Sequence, residues 1–256
     1  MRKVDSKSFD GYKNSLSTQR RTFIIEKKRN VKSIILGGKY IILQKNKNQL
    51  EKQKIKKSRI TSLFAQVAKS INNYIVKSGL EVEKVKQNNS SSYTNRKKYR
   101  LMKEGEKFYY VDIAHCFWRI AFLRNYITER LYKNVLEQTD LKLYRNMALA
   151  CIIAPKGREY WVRGEKIAEI YEDKTLHRTI YDNIRFTAYN LMGNIQQAIG
   201  DHCIAFRTDG IMVDNKKGLE MVKKLITDHD FSYSVIECTK IDELTYKYGE
   251  NKTKKM

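Results

Sequence analysis

Two aspartates in the second half of the chain stand at the ends of apolar, aromatic or β-branched runs: Asp112 in Phe108-Tyr-Tyr-Val-Asp-Ile113, and Asp209 in Cys203-Ile-Ala-Phe-Arg-Thr-Asp209. Carboxylates brought together from two strands can share a pair of divalent ions. Nucleotidyl transfer needs such a pair, one ion to activate a 3'-hydroxyl and one to stabilise the departing pyrophosphate, about 4 Å apart. Magnesium suits this donor set, with manganese as a substitute, because a hard ion takes carboxylate and phosphate oxygens and keeps several waters. Between the two aspartates, Lys142, Arg145 and Asn146 share one face of an expected helix, where cations can grip a triphosphate. Each feature also has a plainer reading: a strand-end turn or cap for the aspartates, a hairpin turn for Thr208-Asp-Gly, a solvated helix face for Lys142 and Arg145. Their order along the chain favours a site.

The elements that must hold these residues follow from periodicity. Asp112 closes a buried strand, and Phe117-Trp-Arg-Ile-Ala-Phe-Leu has helical spacing immediately after it, so the carboxylate sits at the strand's carboxyl end. Residues 139–154 read as a helix that stops before Pro155, the only proline, and Tyr160-Trp-Val-Arg163 as a short strand. A long helix over 173–199 ends at Gly200. Residues 203–213 form a strand, turn and strand with Asp209 and Gly210 at the bend. A helix over 218–228 and a strand over 231–238 complete the pattern.

Upstream the character changes. Residues 1–20 are polar and expected to be mobile, and residues 32–44 read as two strands about Gly37-Gly38. Residues 48–78 read as basic amphipathic helix, with Leu63, Phe64, Val67, Ile71 and Ile75 at helical intervals. The segment 84–100, with Asn88-Asn-Ser-Ser-Ser92 and then Arg96-Lys-Lys98, is the best linker candidate and reads as a solvated loop or a basic strap. The net charge is +23. Residues 1–107 carry 28 Lys and Arg against 8 Asp and Glu, a local charge of +20. A field of that sign attracts polyanions, nucleic acid first and an anionic membrane surface second; a plain solvated surface is the third explanation.

At 256 residues and 41% apolar, the chain can fill a sizeable core. Cys116, Cys151, Cys203 and Cys238 are too dispersed for a zinc site or disulfide framework, which implies reduced thiols. No run approaches the roughly 20 apolar residues of a membrane span, and the amino terminus leads into polar sequence. An intracellular, cytoplasmic location is expected, in the host cytoplasm if the source is viral.

In this order the segments resemble the family B DNA polymerases. Asp112-Ile-Ala-His115-Cys-Phe117 is similar to that family's first palm motif, DxxSLYPS, and Lys142-Leu-Tyr-Arg-Asn146-Met-Ala-Leu149 to its finger motif, KxxxNSxYG. Arg207-Thr-Asp209-Gly210 is similar to the third motif, YxDTDS, with Arg207 at the position of the first aspartate. The resemblance implies Asp112 and Asp209 as catalytic metal ligands for two magnesium ions. It also implies Lys142 on the incoming triphosphate, Asn146 beneath the nascent base pair and Phe117 as a ring that excludes a 2'-hydroxyl. Tyr246-Lys247-Tyr248 would stand in for a lysine-tyrosine primer contact, with Lys247 and Tyr248 on nucleic acid; apart from the resemblance, the basic strap would add Arg96, Lys97 and Lys98 as nucleic-acid contacts. No proofreading exonuclease is implied, and the fingers and thumb are reduced.

The expected fold is α+β: a palm-like antiparallel sheet backed by helices over 101–256, with short fingers at 119–155, preceded by a basic helical and hairpin nucleic-acid-binding region over 1–100. The expected function is template-directed nucleotidyl transfer by a DNA polymerase of viral or mobile-element type, with nucleoside triphosphates and a DNA template and primer as partners, no membrane, and a second protein supplying the missing thumb or processivity. Two rival readings are a palm-derived accessory protein that binds nucleic acid without chemistry, and a basic packaging protein.

Overall fold

In a computed structural model, residues 2–4, 6–28, 31–36, 39–44, 57–138, 141–154, 156–249 and 252–256 are described. The chain is α+β and divides into two compact units, each assembled from two stretches of sequence: 1–76 with 135–181, and 77–134 with 182–256.

The first unit contains β1 (Arg2–Val4), α1 (Ser6–Thr18), β2 (Phe23–Lys28), β3 (Val31–Leu36), β4 (Lys39–Gln44) and almost all of α2 (Lys57–Lys77). Its sheet runs β1-β4-β3-β2-β7-β8, where β7 (Lys156–Val162) and β8 (Glu165–Tyr171) form a hairpin; β1 is parallel to β4 and the other pairs are antiparallel. The expected strand pair at 32–44 is β3 and β4, while Gly37 and Gly38 lie outside the described residues. Within residues 1–20, expected to be mobile, Arg2–Val4 form a strand and Ser6–Thr18 a helix. Phe9 and Leu16 project from α1 into a core with Phe23, Ile25 and Ile34, and Phe23 stacks on Trp161, its cross-strand partner, at 5.3 Å between ring centroids. Two apolar residues one helical stripe apart were enough to fold a polar-looking segment.

The second unit is built on seven antiparallel strands in the order β13-β12-β11-β6-β10-β9-β5. In chain order these are β5 (Ser92–Thr94), β6 (Lys107–Ile113), β9 (Cys203–Arg207), β10 (Gly210–Val213), β11 (Tyr233–Lys240), β12 (Thr245–Tyr248) and β13 (Lys252–Lys255). The residues of β6 alternate between faces. Phe108 and Tyr110 pack with Tyr99, Met212, Ile236, Cys238 and Tyr246, whereas Val111 and Ile113 are buried on the opposite side. The helices are α3 (Arg96–Leu101), α4 (Cys116–Leu123), most of α5 (Glu129–Leu136), α7 (Thr175–Ile199) from Asp182 onward, and α8 (Lys216–Asp228), which packs on β6.

The segment 84–100 is neither loose loop nor linker. Asn183 accepts a hydrogen bond from the Val85 backbone (2.8 Å) and donates to the Glu83 carbonyl (2.7 Å). Asn190 accepts from the backbone of Asn88 and Asn89 and donates to the Lys86 carbonyl, and Asn89 donates in turn to Asn194. A polar stripe on α7 therefore satisfies backbone groups of residues 83–89, which belong to no helix or strand. Beyond it, Asn95 caps α3 by accepting from the Lys98 backbone.

The division near residue 100, read from charge, falls within the second unit, inside α3. The expected fingers, 119–155, are shared out: α4 belongs to the second unit and α6 (Lys142–Cys151) to the first. Charge marks a surface; contacts mark a core, and here the two partition the chain differently.

Candidate functional site

Asp112 is the sixth of the seven residues of β6, opposite Gly210 on β10 and Ser234 on β11. The row continues from Gly210 to Arg207 on β9 and on to Ser92 on β5. Residues directly opposite in an antiparallel ladder share a face. One line of side chains thus crosses five strands, with a glycine between Asp112 and Arg207. Asp209 occupies the turn between β9 and β10, and its carbonyl accepts from the Ile113 backbone at 2.8 Å, so the ladder that fixes Asp112 extends into the turn that carries Asp209. Both carboxylates are half-buried, and the backbone hydrogen bond from Ile113 to Asp209 ties the turn to the strand one residue beyond Asp112.

Their surroundings report on both. The Tyr110 hydroxyl donates to Asp112 Oδ1 at 3.1 Å. Burial pushes the Tyr110 phenol well above its ordinary range, and the charges of Asp112 and Asp209 add to this, so the group remains a donor. Cys116, at the start of α4, is likewise held as a thiol by burial and then by Asp209 and Asp112. Two groups that each feel both aspartates define a common electrostatic neighbourhood.

Two residues beside the site have left-handed backbone: His115, before α4, at φ 56°, and Thr208, before Asp209, at φ 56°. For β-branched Thr208 this conformation costs on the order of 1–3 kcal/mol, and such strain gathers at sites where geometry matters. The bend is Thr208-Asp209 rather than the expected Asp209-Gly210. Gly210 opens β10, and a Cβ there would lie 2.0 Å from the Tyr110 hydroxyl oxygen. The glycine makes room for the ring.

The other expected site residues are distributed unequally. Tyr248 packs its ring 5.4 Å from Tyr110, and its phenol is raised by burial and then by Asp112, which brings it into the same neighbourhood; Lys247 beside it is exposed. Phe117 is the second residue of α4 and partly exposed. Arg96 and Lys97 are exposed on α3, but Lys98 is committed to Asp214 (2.6 Å) and to the Asp201 carbonyl. Lys142, Arg145 and Asn146 lie on α6, in the first unit. Arg145 is 3% exposed, and desolvation lowers its pKa, so it does not belong to a solvated cationic face; Tyr144 and Ala148 bury the same side of α6. Asn146 is exposed, and for Lys142 only the backbone is described.

Among the described residues no group of three or more His, Cys, Asp or Glu could hold a metal ion by itself. Two carboxylates are a donor set of the kind a hard divalent ion takes when substrate phosphates and water supply its other ligands. No described helix is long and apolar enough to cross a membrane. No family model, curated protein or solved structure matches the chain.

Sequence reading missed three features here: the Tyr110 bond to Asp112, the steric role of Gly210 and the row that runs through Arg207 to Ser92. The first two carried a legible signal, since Tyr110 lies two residues before Asp112 on a strand and therefore on its face.

Proposed function

We propose that the second unit is a palm for template-directed nucleotidyl transfer and that the chain is a minimal relative of the family B DNA polymerases. The observation that carries this reading is the ladder adjacency of Asp112, at a strand end, and Asp209, in a hairpin turn of the neighbouring strand. Asp112 and Asp209 would hold two magnesium ions, which when bound polarise the attacking hydroxyl and offset charge on the leaving pyrophosphate. Tyr110 orients one carboxylate by donating to it while remaining uncharged, and the strained Thr208 fixes the other in the turn. Phe117 limits the sugar by sterics.

Primer extension on a DNA template tests the reading. D112N and D209N are each expected to abolish extension while leaving the urea unfolding midpoint within error of the parent, since Asn keeps the shape and a hydrogen-bond acceptor. Unchanged extension in either variant sinks the proposal. A second reading, a palm-derived protein that binds nucleic acid without chemistry, draws support from the burial of Arg145, which removes one of the expected triphosphate contacts. Under that reading magnesium would not raise the melting temperature of the parent more than that of D112N.

A further inference from the structure

A pocket of about 300 Å³ lies beside the carboxylate pair, lined by Tyr110 and Gly210 but by neither aspartate. Arg207, Lys254 and Lys255 contribute to its wall, all three exposed, together with Phe206 and Tyr246. Arg207 comes from β9 and the lysines from β13, five places apart in the strand order. In a flat sheet that separation would be roughly 24 Å. Both strands line one pocket, so the sheet curls and the pocket occupies the inside of the curl.

Chemistry differs on the two sides of the Tyr110 ring. Its hydroxyl is turned to Asp112, while Lys254 Nζ lies 5.6 Å from its ring centroid and 3.4 Å from that of Tyr248. Lys254 is thereby held over aromatic faces, a favourable seat for an ammonium. Among the described residues the pocket lining includes no Asp or Glu, and Met256 lines it beside Lys255. Three cations of like sign around one concavity repel one another, and a multiply charged anion relieves that repulsion. Arg207 adds the planar fork that grips phosphate oxygens in pairs.

We propose that this pocket is a phosphate-binding site, filled either by the phosphodiester backbone of a nucleic-acid strand or by the polyphosphate of a free nucleotide. The proposal shares with the preceding section the choice of a phosphate-bearing partner, but it needs neither metal ions nor catalysis. Binding of a fluorescently labelled single-stranded DNA oligonucleotide to the full chain, followed by anisotropy in EDTA, separates the two.

R207Q and K254Q are each expected to weaken binding about fivefold or more and to lower the salt slope by about one, whereas K254R keeps both. K216Q removes the same charge from the exposed start of α8, away from the pocket, and is expected to change affinity less than twofold. Competition identifies the source of the phosphate. If sodium tripolyphosphate displaces the oligonucleotide from the parent far better than from R207Q, a free nucleotide's polyphosphate is the occupant; if it competes poorly with both while R207Q still weakens the oligonucleotide, the occupant is the strand backbone. Losses in R207Q and K254Q no larger than in K216Q, with urea midpoints unchanged in all three, overturn the proposal. Retained pocket effects with no primer extension would leave the site standing and remove the catalytic reading.

Discussion

Gly210 answers to Tyr110 and not to the turn beside it. A methyl group at this position would meet the phenol oxygen at 2.0 Å and the ring carbon behind it at 2.4 Å. The Tyr110 ring would have to shift to make room, against its packing on Tyr248 and the neighbouring core. Gly210→Ala should therefore lower unfolding free energy by about 1–3 kcal/mol, the usual range for overpacking, as measured by urea titration. Tyr110→Phe should cost less, about 1 kcal/mol, because it removes one hydrogen bond and leaves the packing; the two measured together say whether ring volume or the bond to Asp112 dominates. At this scale a strand-end carboxylate alone reads first as a turn or cap, and the aspartates stood out only because they follow apolar runs within an ordered set of segments. Arg145 was misread because helical spacing alone cannot say which side of a short helix meets the core.

Among the elements, the polar stripe of α7 carries the most consequence. Asn183 is 1% exposed and makes three hydrogen bonds, accepting from Val85 and donating to the Glu83 carbonyl and the Tyr126 hydroxyl (2.9 Å). Asn183→Ala strands these groups, and a loss of about 2–4 kcal/mol is expected in urea unfolding. Ten residues on, Gly193 lets Asn89 approach so closely that a Cβ would lie 2.2 Å from its side-chain carbon. Gly193→Ala should detach the segment around Asn89, which limited trypsin digestion would read as faster cleavage after Lys84 and Lys86. The sequence marks 84–100 as loop because asparagine and serine runs favour turns. What it does not reveal is that a second set of asparagines, a hundred residues later, supplies the missing partners. The long helix itself was readable from its apolar period, as were β6, β11 and α8; β8, with exposed residues throughout most of its length, lacked the alternation that would have announced it.

For the molecule as a whole, buried thiols and phenols set an alkaline limit. Burial raises Cys238 from 9.0 to about 11, and Tyr99 and Tyr246 from 10.0 to about 12. The unfolded chain releases these protons first, so their contribution is complete below pH 9, declines as pH rises past the unfolded values, and is lost once pH passes about 11 to 12. The urea midpoint should fall steadily from pH 9 upward, and the buried thiols Cys116, Cys203 and Cys238 should react with a thiol reagent only as it falls. Composition suggested a basic first region and a folded second one. The contacts follow another logic, because strands far apart in sequence complete each sheet. In the first unit β2 is flanked by β3, made moments later, and by β7, where Phe23 meets Trp161. During synthesis the β2 edge must wait, with its hydrogen-bonding groups exposed, until more than half the protein has left the ribosome. That interval makes the nascent chain, rather than the finished protein, the form most exposed to mispairing and most in need of a chaperone.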